Sequence, residues 1–505
     1  IARFDDEPHV GSRRQRGDVD AAGGRGQRGG YRHRAASRLQ SSDGAARAWR
    51  SHGLGHAPVS AEVSPSDTRR QVPPVSPDHQ DGGRGAPWPQ DRPWRISLRR
   101  RSAGARLGSE GECAMSRDVV IVGAARTPIG KFRGALAGVR ADHLGAHVID
   151  ELVKRVGLAP EVVNDVIFGC VTQIGEQSAN IARTSLLGAG WPDRIPGLTI
   201  DRKCGSGEEA VHVAAGLIAF GAAEVVVAGG AENMSRVPMG SNRDLHGEAF
   251  GWMASERYEL TSQGEAAERL CDKWELGREQ LDAFAVESHR RAAAAAAEGW
   301  FAREIVPVPV QRLREKSQEG EAPLFSADET IRPGTHAEKL ATLKTSFRSQ
   351  GRLTAGNSSQ ISDGAAALLL MSAGQAKALG VKARARVRAV ATVGADPTLM
   401  LTGPIAATRE VLAKAGLGID DIDLFEVNEA FASVPLVWMK ELGVPHSKLN
   451  VNGGAIALGH PLGASGARIM TSMLHELERR GARYGLQAIC CAGGLGTATI
   501  IERLD

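Results

Sequence analysis

The same succession of secondary-structure patterns occurs twice in this chain, and the repetition limits the folds open to it. In each copy, a helical segment of small residues leads to a short apolar run that ends in Gly-Gly. The first copy covers residues 210–220 and 225–230, and the second covers residues 464–479 and 488–494. Apolar strands that alternate with helices are typical of sheets covered on both faces. We therefore predict an α/β fold built from two similar halves.

Patterns upstream of both copies support this duplication. Residues 118–123 and 162–168 have the β-branched, apolar character of buried strands, and residues 144–156 between them have helical spacing, with Asp142 as the expected N-cap. The second half repeats a helix at 405–415 and a strand at 422–425, which leads into Asn428. Residues 233–358 lack this pattern and contain a poly-alanine helix at 292–297. We predict an N-terminal half at 115–232 plus 359–380, an inserted loop domain at 233–358 and a C-terminal half at 381–505.

The first 114 residues differ in composition from the rest of the chain. They contain 20 Arg, no Lys and 13 Asp and Glu, a net charge of +7, whereas the remaining residues carry −3. They are rich in Gly, Pro and Ser and have no apolar periodicity, so they lack the apolar surface needed to offset the entropy of ordering. We predict that residues 1–114 are disordered. Nucleic-acid binding by the arginines is one explanation; translated upstream GC-rich DNA, with Met115 as the natural first residue, is the one we favour.

Cysteine spacing and hydropathy exclude several classes of protein. The six cysteines form no CxxC pair, which argues against zinc sites and against a secreted disulfide framework. No apolar run reaches the length of about 18 residues that a membrane span needs. We expect a soluble, cytoplasmic protein with reduced thiols and no bound metal.

The first chemically informative motif is Asp201-Arg-Lys-Cys204-Gly-Ser-Gly207, which precedes a helix of small residues. A cysteine at a helix N-terminus meets unpaired N–H groups and the positive end of the helix dipole, which favour the thiolate. Arg202 and Lys203 are expected to lower the pKa of Cys204 further. Cys204 is therefore a candidate nucleophile, although a small buried side chain in a tight turn would give the same pattern.

A second motif runs from Asn452 to Gly466 and holds one histidine, His460, among five glycines. Pro461 fixes the backbone after the histidine, and the glycines remove bulk around it, so the imidazole can face a narrow cavity as an acid, base or hydrogen-bond donor. A helix is expected to begin near Leu462.

Two further motifs follow strands of the second half. Cys490 and Cys491 precede Gly493-Gly494, and because neighbouring strand residues face opposite ways, we expect Cys491 to be a core residue. Asn428-Glu-Ala-Phe-Ala432 lies at a strand end, where α/β proteins place ligand-binding groups. Helix capping by Asn428 is the alternative.

Together and in this order, these four motifs resemble those of the thiolase family. Val122-Gly-Ala-Ala-Arg-Thr-Pro-Ile-Gly130, Ala231-Glu-Asn-Met-Ser235 and Leu353-Thr-Ala-Gly-Asn357 match the family as well, so the resemblance covers residues 117–503. It implies a duplicated, layered α/β/α/β/α fold with an inserted loop domain. It also implies acyl transfer between 3-ketoacyl-CoA and CoA, in thiolysis or in the reverse Claisen condensation, within fatty-acid or related lipid degradation.

The resemblance also implies roles for individual residues. Cys204 would take the acyl group, His460 would activate it, and His460 with a water held by Asn428 would stabilise the enolate oxygen. Cys490 would be the acid/base, and the backbone N–H groups of Cys204 and Ala492 would form a second oxyanion hole. Ala492 replaces the usual Gly but keeps the N–H.

Binding residues for CoA follow from the same resemblance. Ser359 matches a serine near the pantetheine and Arg332 a position near the nucleotide, whereas Gln360 stands where Gly is usual. Gln263-Gly264 is typical of degradative thiolases, where short-chain enzymes have His-Met, and favours a longer or bulkier acyl chain. Expected partners are acyl-CoA and CoA in a homodimer or homotetramer, with no permanently bound cofactor and no nucleic acid. The alternatives are a ketoacyl-synthase-like enzyme, disfavoured by Cys490, and a non-catalytic lipid or sterol carrier.

Overall fold

The computed structural model describes residues 117–243, 247–314 and 323–505. The predictions made for residues 1–114, and for Met115 as a first residue, lie outside these ranges. In the described part of the chain, none of the helices is both long and apolar enough to cross a membrane.

The first half begins with alternating strands and helices and ends, after the insertion, with one more strand and helix. Its elements are β1 (Val119–Arg126), β2 (Gly130–Lys131), α1 (Ala141–Val156), β3 (Asp165–Gly169), α2 (Ile181–Gly188), β4 (Gly197–Ile200), α3 (Ser206–Phe220), β5 (Val225–Asn233), β8 (Ser362–Ser372) and α9 (Ala373–Leu379). The insertion between β5 and β8 contains α4 (Trp252–Ser255), α5 (Gln263–Lys273), α6 (Arg278–Ala297), β6 (Val308–Pro309), α7 (Val310–Arg314), β7 (Leu324–Phe325) and α8 (Ala337–Ala341).

The second half repeats the alternation of the first. It contains β9 (Ala385–Gly394), α10 (Gly403–Ala415), β10 (Leu424–Val427), α11 (Ser433–Leu442), α12 (Ala455–Leu458), α13 (Leu462–Arg480), β11 (Tyr484–Cys491) and β12 (Leu495–Arg503).

Strand order shows the duplication directly. The first half has the order β1-β8-β5-β3-β4 and the second has β9-β12-β11-β10. In both, the first two neighbour pairs are antiparallel and the third, β5–β3 or β11–β10, is parallel. The two sets of strands meet where β1 pairs with β9 at only two positions, Val120↔Arg386 and Ile121↔Ala385. The predicted repeat is therefore confirmed at the level of topology.

Helices α3 and α13 form the central layer between the two sets of strands. They pack against each other, α3 against β5 and β3, and α13 against β5, β8 and β11. Their small and apolar residues, such as Ala210, Ala214 and Ala467, share one buried cluster with both sets of strands. Helices α1 and α10 cover the outer faces. This arrangement gives the α/β/α/β/α layering that the family resemblance implies.

The inserted region packs on the second half. Leu270 of α5, Phe284 of α6 and Leu340 of α8 belong to the same buried cluster as Val411 of α10 and Trp438 of α11. Helix α5 is thereby held against α11, and its first residue, Gln263, lies beside Cys204.

Two local predictions were wrong in detail. Asp142 does not cap α1, since the N-cap is Arg140; Asp142 lies in the first turn and accepts hydrogen bonds from the Arg140 guanidinium instead. The strand expected at 162–168 begins only at Asp165, because Pro160–Val162 form a 3₁₀ turn. Helix α1 begins earlier than the apolar spacing indicates, and the turn that starts at Pro160 delays the start of β3.

Glycines in both halves allow the two halves to approach each other closely. The carbonyl oxygen of Gly463, at the start of α13, lies against Gly169, Gly207 and Gly230, where a Cβ would overlap it or crowd it. This contact brings the start of α13 to the start of α3. The segments holding His460 and Cys204 are therefore placed at one site by backbone contact.

We expect Gly230→Ala to lower the free energy of unfolding by about 3 kcal/mol or more, since the new methyl group would force α13 away from β5. Gly216→Ala is the matched control. Gly216 is exposed within α3, and a Cβ there meets nothing within 4 Å. It should raise the free energy of unfolding by about 0.5–1 kcal/mol through helix propensity. Urea unfolding measures both changes, and equal stability of the two variants would contradict the close-contact argument.

Candidate active site

Cys204 lies in a tight turn between β4 and α3. The turn is closed by Ser206, whose hydroxyl accepts from the N–H of Arg202 at 2.8 Å and donates to the carbonyl of Lys203 at 2.6 Å. Lys203 has φ of +51°, and Gly205 is the N-cap of α3. The side chain of Cys204 is 3% exposed. The predicted placement at a helix N-terminus is confirmed.

The expected depression of the Cys204 pKa is wrong. Burial raises the pKa of Cys204 to about 11, although the Gln263 amide and the charge of Lys203 act in the opposite direction. The two cationic residues that precede Cys204 both form salt bridges. Lys203 pairs with Asp201 at 2.6 Å, and Arg202 pairs with Glu209 at 3.3 Å. With a pKa of about 11, the Cys204 side chain is a neutral thiol near pH 7.

Gln263, the first residue of α5, contacts the candidate nucleophile Cys204 directly. Its Nε2 lies 3.9 Å from the sulfur of Cys204. The sequence suggests Gln263 only as a determinant of pocket size, so this polar contact was missed. Next to it, Gly264 leaves no room for a Cβ because the ring of Phe347 packs there, and Phe347 meets Phe431 edge-on with ring centroids 5.7 Å apart.

His460 is buried, and its tautomer follows from its neighbours. The Ser465 hydroxyl donates to the carbonyl of Pro461 at 2.9 Å, so it accepts from Nδ1–H of His460 at 2.6 Å. Nε2 is then the basic nitrogen, and it faces the Nδ2 amide of Asn428 at 3.4 Å. Burial and the charge of Arg468 lower the pKa of His460 to about 3. His460 is thus a neutral imidazole whose unprotonated Nε2 faces the amide of Asn428.

Cys490 and Cys491 end β11, and both are fully buried. Their side chains join different clusters: Cys490 packs with Phe431 and Ile456, whereas Cys491 packs with Cys204 and Leu462. Burial raises the pKa of each thiol, and the proximity of Cys204 raises it further. The two sulfurs therefore face opposite sides of the strand, as predicted, and both lie near Cys204.

Asn428 points into the site and does not cap a helix, because the N-cap of α11 is Ala432. Its Oδ1 is buried without a hydrogen-bond partner among the described residues. The neighbouring Glu429 is a structural residue: its carboxylate accepts from the hydroxyl of Ser288 at 2.7 Å and the amide of Asn450 at 2.8 Å. The bond from Ser288 holds the segment after β10 against α6 of the inserted region.

A second buried carboxylate organises the start of α13. Glu232, at the end of β5, accepts hydrogen bonds at 2.9 Å from the backbone N–H groups of Gly463 and Val171. The sequence presents Glu232 only as part of a family motif. A charged residue at the end of an apolar strand is the one sign that it has such a role.

The residues matched to CoA contacts lie near the loops that carry Asn428 and His460. The backbone N–H of Ser359 donates to Ala430 at 3.0 Å, which places Ser359 beside the Asn428 loop. Arg332 is exposed, and its Nη2 donates to Oε1 of Gln360 at 3.0 Å. Ala492 lies in the turn between β11 and β12, ahead of Gly493 and Gly494, whose φ values are +89° and +77°. Among the described residues, no group of three or more His, Cys, Asp and Glu side chains could hold a metal ion.

A test of the neutral resting state is the pH dependence of Cys204 alkylation by iodoacetamide. With a thiol pKa near 11, the thiolate fraction rises about tenfold per pH unit between pH 7 and 10, and the rate should follow it. Peptide mass spectrometry identifies the modified thiol. A rate that is constant between pH 5 and 8 would show a preformed thiolate–imidazolium pair instead.

Comparison with known proteins agrees with this geometry. The family models for the thiolase N-terminal and C-terminal domains match residues 119–374 and 381–503. The chain belongs to the thiolase family.

Relatives within the thiolase family match over nearly their whole length. A steroid 3-ketoacyl-CoA thiolase of Mycobacterium tuberculosis is 45% identical over 413 residues, which cover 80% of this chain and 98% of that protein. A 3-ketoacyl-CoA thiolase of Bacillus subtilis is 45% identical, covering 76% of this chain and 99% of that protein. The crystal structure of the Bacillus anthracis acetyl-CoA acetyltransferase matches with a TM-score of 0.70 and 42% identity, covering 77% of this chain and all of that one. The chain is an enzyme, an acyltransferase of the thiolase type.

Proposed function

We propose that this thiolase cleaves 3-ketoacyl-CoA with CoA, through an acyl thioester on Cys204, in the degradation of fatty acids or related lipids. Two observations support it most strongly: Cys204 and Cys490 are buried close enough for one to raise the pKa of the other, and Ser465 holds His460 as a neutral imidazole with an unprotonated Nε2. Two-step acyl transfer needs a nucleophile and a separate acid/base, and these groups supply both.

In the first step, the sulfur of Cys204 forms a bond to the 3-keto carbon while its proton passes to Nε2 of His460. The bond between C2 and C3 then breaks, and its electron pair goes to C2 of the leaving acetyl-CoA. The thiol of Cys490 donates a proton to that carbon. The products are acetyl-CoA and an acyl thioester on Cys204.

In the second step, the Cys490 thiolate takes the proton of the CoA thiol, and the CoA sulfur attacks the thioester. Cys204 leaves and recovers its proton from His460, so the enzyme returns to its starting state. Burial raises the pKa of both thiols, so both are protonated at the start of the reaction. Cys204 then gives its proton to His460, and Cys490 gives its proton to C2.

We assign two sets of hydrogen-bond donors to stabilise the negative charge that develops on oxygen. His460 and a water held by Asn428 would stabilise the thioester enolate, for which the free Oδ1 of buried Asn428 provides an acceptor. The backbone N–H groups of Cys204 and Ala492 would stabilise the tetrahedral oxyanion. We assign Ser359 to the pantetheine and Arg332 to the phosphate-bearing end of CoA.

We further propose that the enzyme is a cytoplasmic homodimer or homotetramer. Strand β4 is an edge strand with Leu198 44% exposed, and an edge of this kind supports pairing with a second copy. The five cysteines of the described residues are free and buried, which supports a reducing compartment. Light scattering gives the oligomeric state.

A panel of 3-ketoacyl-CoA substrates tests the reaction and its chain-length preference. We expect CoA-dependent cleavage, which is measured as loss of the 3-ketoacyl absorbance. Because Gln263-Gly264 favours a longer or bulkier acyl chain, kcat/KM should be higher for chains longer than that of acetoacetyl-CoA. Tight binding of every substrate without cleavage would indicate a carrier and overturn the proposal.

A further inference from the structure

Gln360 stands between the exposed guanidinium of Arg332 and the loop that precedes His460. We propose that Gln360 is a positioning residue, which aims Arg332 at the phosphate-bearing end of CoA and so sets the affinity for CoA over shorter pantetheine thioesters. The inference rests on the proposed function, in which Arg332 contacts CoA.

The amide of Gln360 is oriented from one side only. Its Nε2 lies 2.9 Å from the carbonyl of Thr330, 2.8 Å from that of Ile456 and 3.3 Å from that of Ala457. Carbonyl oxygens accept hydrogen bonds from an NH₂ group but repel an amide oxygen. These three acceptors therefore fix which way the amide faces, and they direct Oε1 to Arg332.

The charge of the Arg332 guanidinium, which donates to Oε1, is not offset by a carboxylate of the described residues. Arg332 has no salt bridge to a carboxylate within the described ranges, and its backbone N–H donates to Nδ1 of His289 at 3.2 Å. Burial lowers the pKa of His289 to about 4, so this neighbour stays neutral. Buried Arg126, in contrast, is neutralised by Glu304 and Asp328. An arginine held by a neutral amide and open to solvent is suited to bind a phosphate.

Gln360 also joins this arginine to the catalytic loop through its backbone. Its carbonyl accepts from the N–H of His460 at 3.1 Å. This backbone bond should persist when the side chain is replaced and should hold His460 in place, even though the variant loses the side-chain bonds to the carbonyls of Ile456 and Ala457. Binding and turnover can therefore be separated by mutation.

The test compares Gln360→Leu and the isosteric Gln360→Glu with Arg332→Ala. For CoA in thiolysis, we expect Gln360→Leu to raise KM about tenfold, the loss of one charge-assisted contact, with kcat within about twofold of the parent. Gln360→Glu, which neutralises the arginine and repels the three carbonyls, should also raise KM. With a pantetheine thiol as acceptor, neither variant should change KM. The double variant Gln360→Leu/Arg332→Ala should resemble Arg332→Ala alone.

Gln375→Leu is the control, since Gln375 is half-buried like Gln360 but lies in α9, beyond the opposite end of β8. It should leave both KM values unchanged. If Arg332→Ala raises the KM for CoA but neither Gln360 variant does, the positioning role is overturned and the proposed CoA contact stands. If Arg332→Ala has no effect, the CoA contact itself is overturned. An equal rise for CoA and pantetheine would place the effect in the loop and also overturn the inference.

Discussion

Cys204→Ala is expected to abolish covalent acylation and to lower kcat for thiolysis by at least about 10³-fold. Of the thiols near the site, Cys204 is the one that stands at a helix N-terminus, in a turn reached by the start of α13. Intact and peptide mass spectrometry after incubation with acyl-CoA should show the adduct on the Cys204 peptide of the parent enzyme and none in the variant.

Cys271→Ala provides a matched control for this experiment. Cys271 is also buried and also has its pKa raised by burial, to about 12, but it lies in α5. The variant should form the same adduct as the parent. An adduct that persists at another thiol in Cys204→Ala would refute the assignment of the nucleophile.

Cys490→Ala should still be acylated at Cys204 by acetyl-CoA, yet lose thiolysis and condensation by about 10²- to 10⁴-fold. The physical reason is the leaving group. CoA leaves acetyl-CoA as a stable thiolate, whereas the carbon leaving group of a 3-ketoacyl-CoA must receive a proton, and Cys490 is assigned to supply it. Acylation measured by mass spectrometry and turnover measured by CoA-dependent absorbance loss should separate in this variant.

Cys491→Ala is the control that the strand itself offers. Cys491 faces the side of β11 that packs beneath the nucleophile turn, where a Cβ on Gly205 would lie 2.7 Å from its sulfur. We expect its replacement to leave turnover within about tenfold, or about 1.4 kcal/mol of barrier. Equal losses in the two variants would contradict the assignment of acid/base chemistry to Cys490 alone.

Much of the fold could be predicted because its signals are local. The apolar runs and glycine stops of both halves lie within single elements, and helix α13 begins at Leu462 as expected. Where prediction failed, as at Asp142 and at the start of β3, the residues adopt boundary structures that depend on neighbours beyond the apolar pattern.

The candidate site was predicted less completely. Motifs identified Cys204, His460, Asn428 and Cys490, but not the role of Ser465 in orienting the imidazole. The contact of Gln263 with the sulfur joins α5 to a turn that is distant in the sequence. The carboxylates of Glu232 and Glu429 likewise bond to backbone and side chains from other elements. Such contacts leave no periodic trace in the sequence.

The duplicated α/β architecture, the family and the reactive residue types could be read from the amino-acid sequence alone, because spacing and glycine placement act through the local backbone. The protonation states could not, because they depend on how the chain packs. A helix N-terminus and two cations predict a low pKa for Cys204, yet burial between the two halves raises it to about 11, and the same burial lowers that of His460 to about 3. Desolvation depends on every atom packed around a group, so it emerges only when both halves close over the site.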